Sequence, residues 1–263
     1  MSTEAARYWD DVAKAWRAER PQRLWREYSD RMNDRLLRPW LAERPRRRLL
    51  KTDLFDEAVG ELGLVRPLAD SARSLYGIDL SRTVAHTAAA RHGAFRVVRA
   101  DVRRLPFAGG SFDVVVSNST LDHFASLDDV SCALEEIHRV LEPRGELLLT
   151  LDNLMNPFVA ARAVLPARLL HALRLVPYRV GKTCGPARLR RLLRSAGFEV
   201  ESLHAAMHCP RILAVWLGHV LDRSARAETK ARFLELLLAC ERLERLPTRY
   251  LTGYFLAVKA VRG

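Results

Sequence analysis

Lysine is scarce in this chain: only five of the 43 basic residues are Lys, and the rest are Arg. Cysteine is thin too. Cys132, Cys184, Cys209 and Cys240 are far apart, with no CxxC and no His/Cys ligand spacing, so neither a disulfide framework nor a metal site is expected. No run approaches the ~20 apolar residues of a membrane-crossing helix. The opening segment MSTEAARYWDDVAKAW is charged and lacks the apolar core of a signal peptide, so a cytoplasmic, reduced protein is expected. Internal repeats and low-complexity tracts are also missing. What remains is 263 residues, enough for a large core, with a net charge of +12 and a pI near 10.2. Such a charge is compatible with nucleic acid. However, many arginines are scattered along helical patterns, where a solvated face is the simpler explanation. Nucleic acid is therefore the disfavoured partner, while an anionic substrate or a membrane surface stays open.

The chain reads as alternating strands and helices. Residues 4–42 form two amphipathic helices broken near Pro21, with dense aromatic surface at Trp9, Trp16, Trp25, Tyr28 and Trp40. These rings either pack the helices onto the domain or form a lid over a substrate. Arg44 to Arg48 is a basic connector. Strands are expected at Leu49–Asp53, Leu75–Leu80, Phe95–Asp101, around Val114-Val115-Val116, and at Leu147–Leu151, with later ones at Phe198–Leu203 and Tyr254–Val261. Helices are expected from after Asp53 to about Leu64, over 82–92, and from Pro186 to Ala196, where Gly197 stops the last. Another has clear ends: Ser126 caps it with Asp129 three positions on, Asp128 and Asp129 sit in its first turn, and His138 and Arg139 sit in its last. Val130, Leu134, Ile137 and Leu141 form its apolar stripe, and Pro143-Arg144-Gly145 ends it and turns the chain. A strand–helix–strand unit of this kind implies parallel strands with a right-handed crossover. Residues 154–184 are an apolar and basic insertion punctuated by Pro157, Pro166 and Pro177. It reads as a packed cap helix, an apolar pocket wall or a membrane-surface face. A second helical insertion covers 210–246.

Residues 99–153, RADVRRLPFAGGSFDVVVSNSTLDHFASLDDVSCALEEIHRVLEPRGELLLTLDN, carry a specific order. An acid follows a strand, then come an LPF turn, an SFD-led strand, a loop with histidine, an amphipathic helix, PRG and another strand. This order resembles the middle of a class I S-adenosylmethionine-dependent methyltransferase, in the small-molecule branch. The resemblance implies a Rossmann-like α/β fold, a seven-stranded, mostly parallel sheet of order 3-2-1-4-5-7-6 with helices on both faces. It also implies an N-terminal helical lid over residues 1–45 and a methyltransferase-like domain over 46–263.

The resemblance assigns S-adenosylmethionine as cofactor. Asp79, in GIDLS at the end of the second strand, would accept both ribose hydroxyls, and Leu80 would lie against the adenine. Asp101, in ADVRRLPF, would accept from the adenine amino group, and the Val102 N–H would donate to a ring nitrogen. Ser117 and Asn118 would lie near the methionine portion. The departure is upstream, where the family carries an acid and then spaced glycines. Lys51 stands in the acid's place, and Asp53, Phe55 and Glu57 stand in the glycines' places. Glycines let backbone approach a ligand closely, which Phe55 and Glu57 cannot reproduce. The KTDLFDEA loop can instead supply acids, Asp53, Asp56 or Glu57, to grip the methionine ammonium. Otherwise the site is altered.

Methyl transfer is an in-line displacement, helped by holding nucleophile and methyl in line. A general base is needed only where the acceptor loses a proton. His123 in NSTLDHF is the candidate, with Asp122 able to orient or charge it; His208 and Tyr254 are weaker candidates. SNST stands where base N-methyltransferases carry a D/N-P-P-aromatic motif, which argues against base methylation. The expected function is methylation of a small organic acceptor, apolar if the insertion forms a pocket, by a monomer or homodimer. The alternatives are a decarboxylation or cyclisation on the same fold, or a non-catalytic binding protein. No metal is expected.

Overall fold

The computed structural model describes residues 3–19, 22–43, 45–60, 63–165, 179–224 and 226–263. Pro21, Arg44, Pro166 and Pro177 lie outside these residues, as does the middle of the 154–184 insertion. Seven strands form one sheet: β1 (Arg46–Lys51), β2 (Ala72–Asp79), β3 (Phe95–Arg99), β4 (Phe112–Asn118), β5 (Leu141–Asp152), β6 (Phe198–Ala206) and β7 (Phe255–Arg262). Their order is β3-β2-β1-β4-β5-β7-β6, as expected. β7 runs antiparallel to both neighbours, and the other pairings are parallel.

The β-branched and leucine runs are buried on both faces because helices cover both. Val115, Leu147 and Leu149 point into one core; Val114, Val116 and Leu148 point into the other. Helix α6 (Leu127–Val140) closes the first. The Ser126 hydroxyl accepts from the Asp129 N–H at 3.1 Å and donates to the Asp129 carboxylate at 2.9 Å. Val130, Leu134 and Ile137 are fully buried, each stabilising the domain by roughly 1.5–3 kcal/mol. Helix α5 (Arg82–Arg91), N-capped by Ser81, belongs to the opposite face with α3 (Phe55–Val59) and α4 (Val65–Ser71).

Four local expectations are corrected. β1 begins at Arg46 and stops at Lys51, so Asp53 lies two residues beyond the strand rather than at its end. Arg47 and Arg48 belong to the strand because the Asp113 carboxylate takes their backbone N–H groups at 2.5 and 3.0 Å. The helix expected through Leu64 is two short helices. The Pro143-Arg144-Gly145 turn lies within β5 as an irregularity: Phe112 pairs with Leu141 and Val114 with Glu146, and Arg144 takes a φ of 63°.

The two N-terminal helices separate. α1 (Thr3–Glu19) lies along α3 and α5. α2 (Arg23–Ala42) places Trp25, Tyr28 and Met32 in a third core with Phe233, Leu234 and Leu237. Trp9 and Trp16 of the first helix instead meet Phe55, and Trp40 packs against the second core.

At the end of β1, Lys51 is fully buried. Its ammonium lies 3.0 Å from Glu57 and 3.5 Å from Asp53, and donates to the Asp53 carbonyl at 2.6 Å. Burial opposes its charge, but the Asp53, Glu57 and Asp56 carboxylates outweigh that and raise its pKa. Removing one partner of a buried pair strands the other. Lys51→Met is expected to cost about 3–5 kcal/mol in urea denaturation. Adding Glu57→Gln should recover a large part of that loss. Additive losses would show that the two groups are not coupled.

Candidate functional site

The sheet's order reverses between β1 and β4, since β1 pairs with β2 on one side and β4 on the other. In open α/β sheets ligands bind outside the carboxyl ends of the strands at such a point. The segments there are Thr52–Leu54 after β1, Asp79–Ser81 after β2, and Ser117–His123 at the end of β4 and beyond.

Hydroxyls tie these segments together. Thr52 donates to Ser117 at 2.9 Å, lies 3.1 Å from the Thr120 hydroxyl, and Thr120 donates to the Asp53 carboxylate at 3.1 Å. Asn118 accepts from Thr150 at 2.6 Å, joining β4 to β5. Ser117 and Asn118 are thus engaged within the sheet. Thr52 and Thr120 were missed from the sequence; a hydroxyl beside each strand end was the available signal.

Asp79 is buried, and its two oxygens accept the N–H of Leu54 at 3.0 Å and of Ser81 at 2.8 Å. Burial pushes its pKa up to about 7, against those two hydrogen bonds, and Asp53 raises it further. The first of these bonds draws the β1 loop onto the end of β2. Gly77 permits the approach: a Cβ there would meet the Leu54 side chain at 2.7 Å. Leu80 follows and accepts from Arg99 through its carbonyl at 3.1 Å.

The acids of the substituted loop have separate fates. Glu57 is buried against Lys51 and accepts from the Leu64 N–H at 3.1 Å. Asp56 pairs with Arg26 of α2 at 2.9 Å. Asp53 accepts from Phe55 N–H at 3.1 Å and from Thr120, and its side chain keeps 20% exposure. Of the three, Asp53 is the one left at the crevice. Phe55, in a glycine's place, turns its ring to α1, 6.2 Å from Trp9 and 5.8 Å from Trp16.

Asp101 is held by Arg103, whose Nη2 and Nε reach it at 2.7 and 3.1 Å and whose backbone N–H donates at 3.0 Å. Burial raises the carboxyl's pKa, but the Arg103 bonds outweigh it, so the net shift is downward. The adenine-accepting role expected of Asp101 therefore competes with Arg103, a residue the motif reading did not single out. Val102 is buried beside it.

His123 ends a short 3-10 turn, Leu121–His123. Its ring meets Trp9 edge to face at 4.9 Å, and Trp9 meets Tyr8 at 5.4 Å. Burial lowers the imidazole pKa below 6.5, against Asp152 and Asp53. Asp122 is almost wholly buried, and burial followed by the like charge of Asp152 raises it well above the usual carboxylate range; Arg162 partly offsets this. A carboxyl held toward its neutral form is a poor source of the charge expected beside His123. Arg162 instead donates to Asp152 and to the Tyr254 hydroxyl. His208 is buried between Thr252, at 2.8 Å, and the Ala205 carbonyl, at 3.1 Å. Both weaker candidates, His208 and Tyr254, are built into the C-terminal half of the fold.

The crevice is covered on two sides. Asp10 of α1 accepts from the Ser81 hydroxyl and, at 2.9 Å, from the Thr83 N–H. Residues 179–184 form a strap: Gly181 N–H donates to Asp122 O at 3.0 Å and Lys182 N–H to Phe124 O at 2.7 Å. A Cβ on Gly181 would collide with that backbone. Tyr8 joins the covers by accepting from the Arg179 N–H at 2.6 Å. Among the described residues, no group of three or more His, Cys, Asp or Glu is placed to hold a metal ion.

Residues 55–149 match the family described as "Methyltransferase domain". The "Malonyl-[acyl-carrier protein] O-methyltransferase" of Enterobacter lignolyticus is 32% identical over 106 residues, 40% of this chain and 40% of that protein. A "Probable S-adenosylmethionine-dependent methyltransferase" of Mycolicibacterium smegmatis is 31% identical over 157 residues, 59% and 55% of the two chains. The chain thus spans about half or less of the length of these relatives. Among solved structures, the [4+2]-cyclase SpnF has a TM-score of 0.55 at 20% identity, over 87% of this chain and 80% of that one. Phosphoethanolamine N-methyltransferase 2 of Haemonchus contortus, in complex with S-adenosyl-L-methionine, has a TM-score of 0.58 at 17% identity, over 88% and 52%. At these identities the likeness is one of fold. Residues 55–149 thus carry a methyltransferase-domain match, set on a sheet of order β3-β2-β1-β4-β5-β7-β6.

Proposed function

We propose that this chain transfers a methyl group from S-adenosylmethionine to a small, apolar organic acceptor. The observation that carries the reading is the crevice at the β1/β4 switch point, where Asp53 and Asp79 follow adjacent strand ends and the His123 ring meets Trp9. Two carboxylates at adjacent strand ends suit a ligand with both a cation and a ribose. Asp79 would accept the ribose hydroxyls beside Leu80, Asp53 would take the methionine ammonium, and Val102 would flank the adenine. Ser117 and Asn118 act through the sheet, by holding Thr52 and β5 in register. When bound, the cofactor supplies an electrophilic methyl on a sulfonium. Tyr8, Trp9, Phe55 and His123 form an aromatic rim at the crevice, which supports an apolar acceptor. α1 and the strap serve as a two-part lid that excludes water, and His123 takes the acceptor's proton where one must leave.

The experiment that tests the reading is isothermal calorimetry with S-adenosylmethionine and its demethylated product, followed by transfer of labelled methyl to a panel of apolar phenols, amines and carboxylic acids. No binding at millimolar concentration would overturn it. Binding without transfer to any acceptor would leave the cofactor site standing and return the weight to a non-methylating reaction on this fold.

Ribose hydroxyls donate to the ionised carboxylate, so cofactor binding should favour deprotonated Asp79. Its folded pKa of about 7 lies above the ordinary 3.8. The ligand-free protein therefore binds more protons than the unfolded chain between those values and loses stability as pH rises across them. Affinity for S-adenosylhomocysteine should move the opposite way, strengthening up to about tenfold per pH unit as pH rises toward 7. Calorimetry across pH 5.5–8 (roughly the window one-proton linkage requires) checks it. Asp79→Asn should flatten the profile, and an unchanged slope in that variant would assign the titration elsewhere.

Asp53→Asn should weaken S-adenosylmethionine about ten- to a hundred-fold, the worth of one charge-assisted bond of roughly 1.5–3 kcal/mol. Adenosine, which lacks the ammonium, should lose far less. Equal losses for the two ligands would remove Asp53 from this role.

His123→Asn should lower kcat by about 10²–10⁴-fold for an acceptor that loses a proton, with cofactor affinity retained. Its lowered pKa predicts that the acid limb of the wild-type rate profile falls below 6.5. A limb above that value, or full activity in the variant, would exclude His123 as the base.

A further inference from the structure

We infer that the outward face of helix α9 (Arg211–Ser224; after α7, Pro157–Val164, and α8, Pro186–Ser195) docks the protein onto an anionic phospholipid bilayer. Ile212, Leu213, Trp216 and Val220 are exposed, Trp216 by 61%. At 100° per residue they fall within about one third of the helix circumference. His219 and Arg223 are exposed on the same arc, and no carboxylate shares it. The helix's one acid, Asp222, is turned inward, where it accepts from the Leu24 N–H at 3.2 Å and lies 4.0 Å from Lys230. The inward face is already used: Ala214 is buried in the third core, and Gly218 sits against Leu24 and Phe233. A surface helix normally presents polar side chains to water. Here the buried face and the exposed face are both apolar.

Charge identifies the occupant. Arg211 stands at the start of α9, Arg223 at its end, and exposed Arg226 just beyond. The chain as a whole carries +12. Arg211 stacks over Tyr254 at 4.4 Å, so the exposed cations are His219 when protonated, Arg223 and Arg226; an apolar arc containing an exposed tryptophan, flanked by these and free of carboxylates, matches the chemistry of an interfacial helix on an anionic membrane. Indole rings favour the headgroup boundary. The arc is also the lip of a cavity of about 600 Å³, walled by Phe158, Pro210 and Tyr254 as well as by Ile212, Leu213 and Trp216. Apolar surface therefore continues inward from the lip, giving acyl chains room to follow the inserted side chains. Among the described residues no helix is long and apolar enough to cross a membrane, so the contact is with the surface. The inference does not rest on the identity of the methyl acceptor.

The full chain should co-sediment with phosphatidylcholine vesicles containing phosphatidylglycerol and remain in solution with phosphatidylcholine alone. Brominated acyl chains should quench its tryptophan fluorescence. Trp216→Phe should keep the binding and lose most of the quenching. Ile212→Ser with Trp216→Ser should keep the circular dichroism of the wild type and weaken vesicle partition at least about tenfold, as expected for apolar side chains left out of the bilayer. Three results would overturn the proposal. These are no binding to the anionic vesicles, binding that the double variant leaves unchanged (charge alone), or a dimer in sedimentation velocity that the double variant dissolves, which would make the face a contact between copies.

Discussion

The arrangement of the crevice depends on one buried ammonium. Lys51 ends the first strand beside Asp53 and Glu57, and its charge offsets part of the burial that still holds the Glu57 carboxyl above the usual range in the first turn of α3. A buried carboxylate without a cation would have to take up a proton or drag the turn toward water. With Lys51 in place, Glu57 can also accept the Leu64 N–H and so set the path from α3 to α4. Where the resemblance implies an acid and a glycine, this chain has Lys51 and Glu57. Each substitution alone looks like damage to a ligand loop; together they form an ion pair that shapes it.

The loop's other substitution has its compensation in the N-terminal helix. A glycine-lined loop meets its ligand with bare backbone. Here Phe55 carries a ring that must go somewhere, and it goes to Trp9 and Trp16 of α1. Asp10, on the same helix, ties α1 to the start of α5. α1 is thus fixed to two strand ends at once, through a ring contact after β1 and a hydrogen bond after β2. The strap at 179–184 completes the cover through Tyr8 and the Asp122–Phe124 backbone. The substitution that seems to obstruct the crevice is also what anchors the helix that shelters it.

The legibility of the chain followed its periodicity. The strand runs and α6 with its Ser126 cap rest on local signals, apolar runs and a capping hydroxyl, whereas the sheet order came only with the family resemblance of residues 99–153. Those signals survive folding because neighbours along the chain generate them. The end of β1 was misplaced by two residues because a lysine and a threonine can continue a strand as readily as leave it; its start was misplaced because the Asp113 side chain, 66 residues from Arg47 in sequence, takes the N–H groups of Arg47 and Arg48. The aromatic residues of 4–42 were read as one surface because they share a segment. The structure divides them: Trp9 and Trp16 meet Phe55, Trp25 and Tyr28 enter the third core with Phe233 and Leu237, and Trp40 packs against the second core.

Charge pairing was the least legible level. Three acids in KTDLFDEA are equivalent on paper, yet Arg26 takes Asp56, Lys51 is closest to Glu57 and also lies 3.5 Å from Asp53, and Asp53 alone of the three bonds to Thr120 at the end of β4. The same is true of Asp101, whose partner Arg103 is two residues away and visible, but whose bidentate hold depends on the turn after β3. A carboxylate already held by two guanidinium nitrogens can accept from a further donor only through its remaining lone pairs. A ligand donor at Asp101 would share the carboxylate with Arg103, whereas Asp79, which accepts from the Leu54 and Ser81 N–H groups and is pushed toward neutrality, gains most from a donor that stabilises its charge. The two acids that look alike in the motif are therefore placed to contribute unequally. The Asp79 end of the crevice has the larger electrostatic gain available from a ligand.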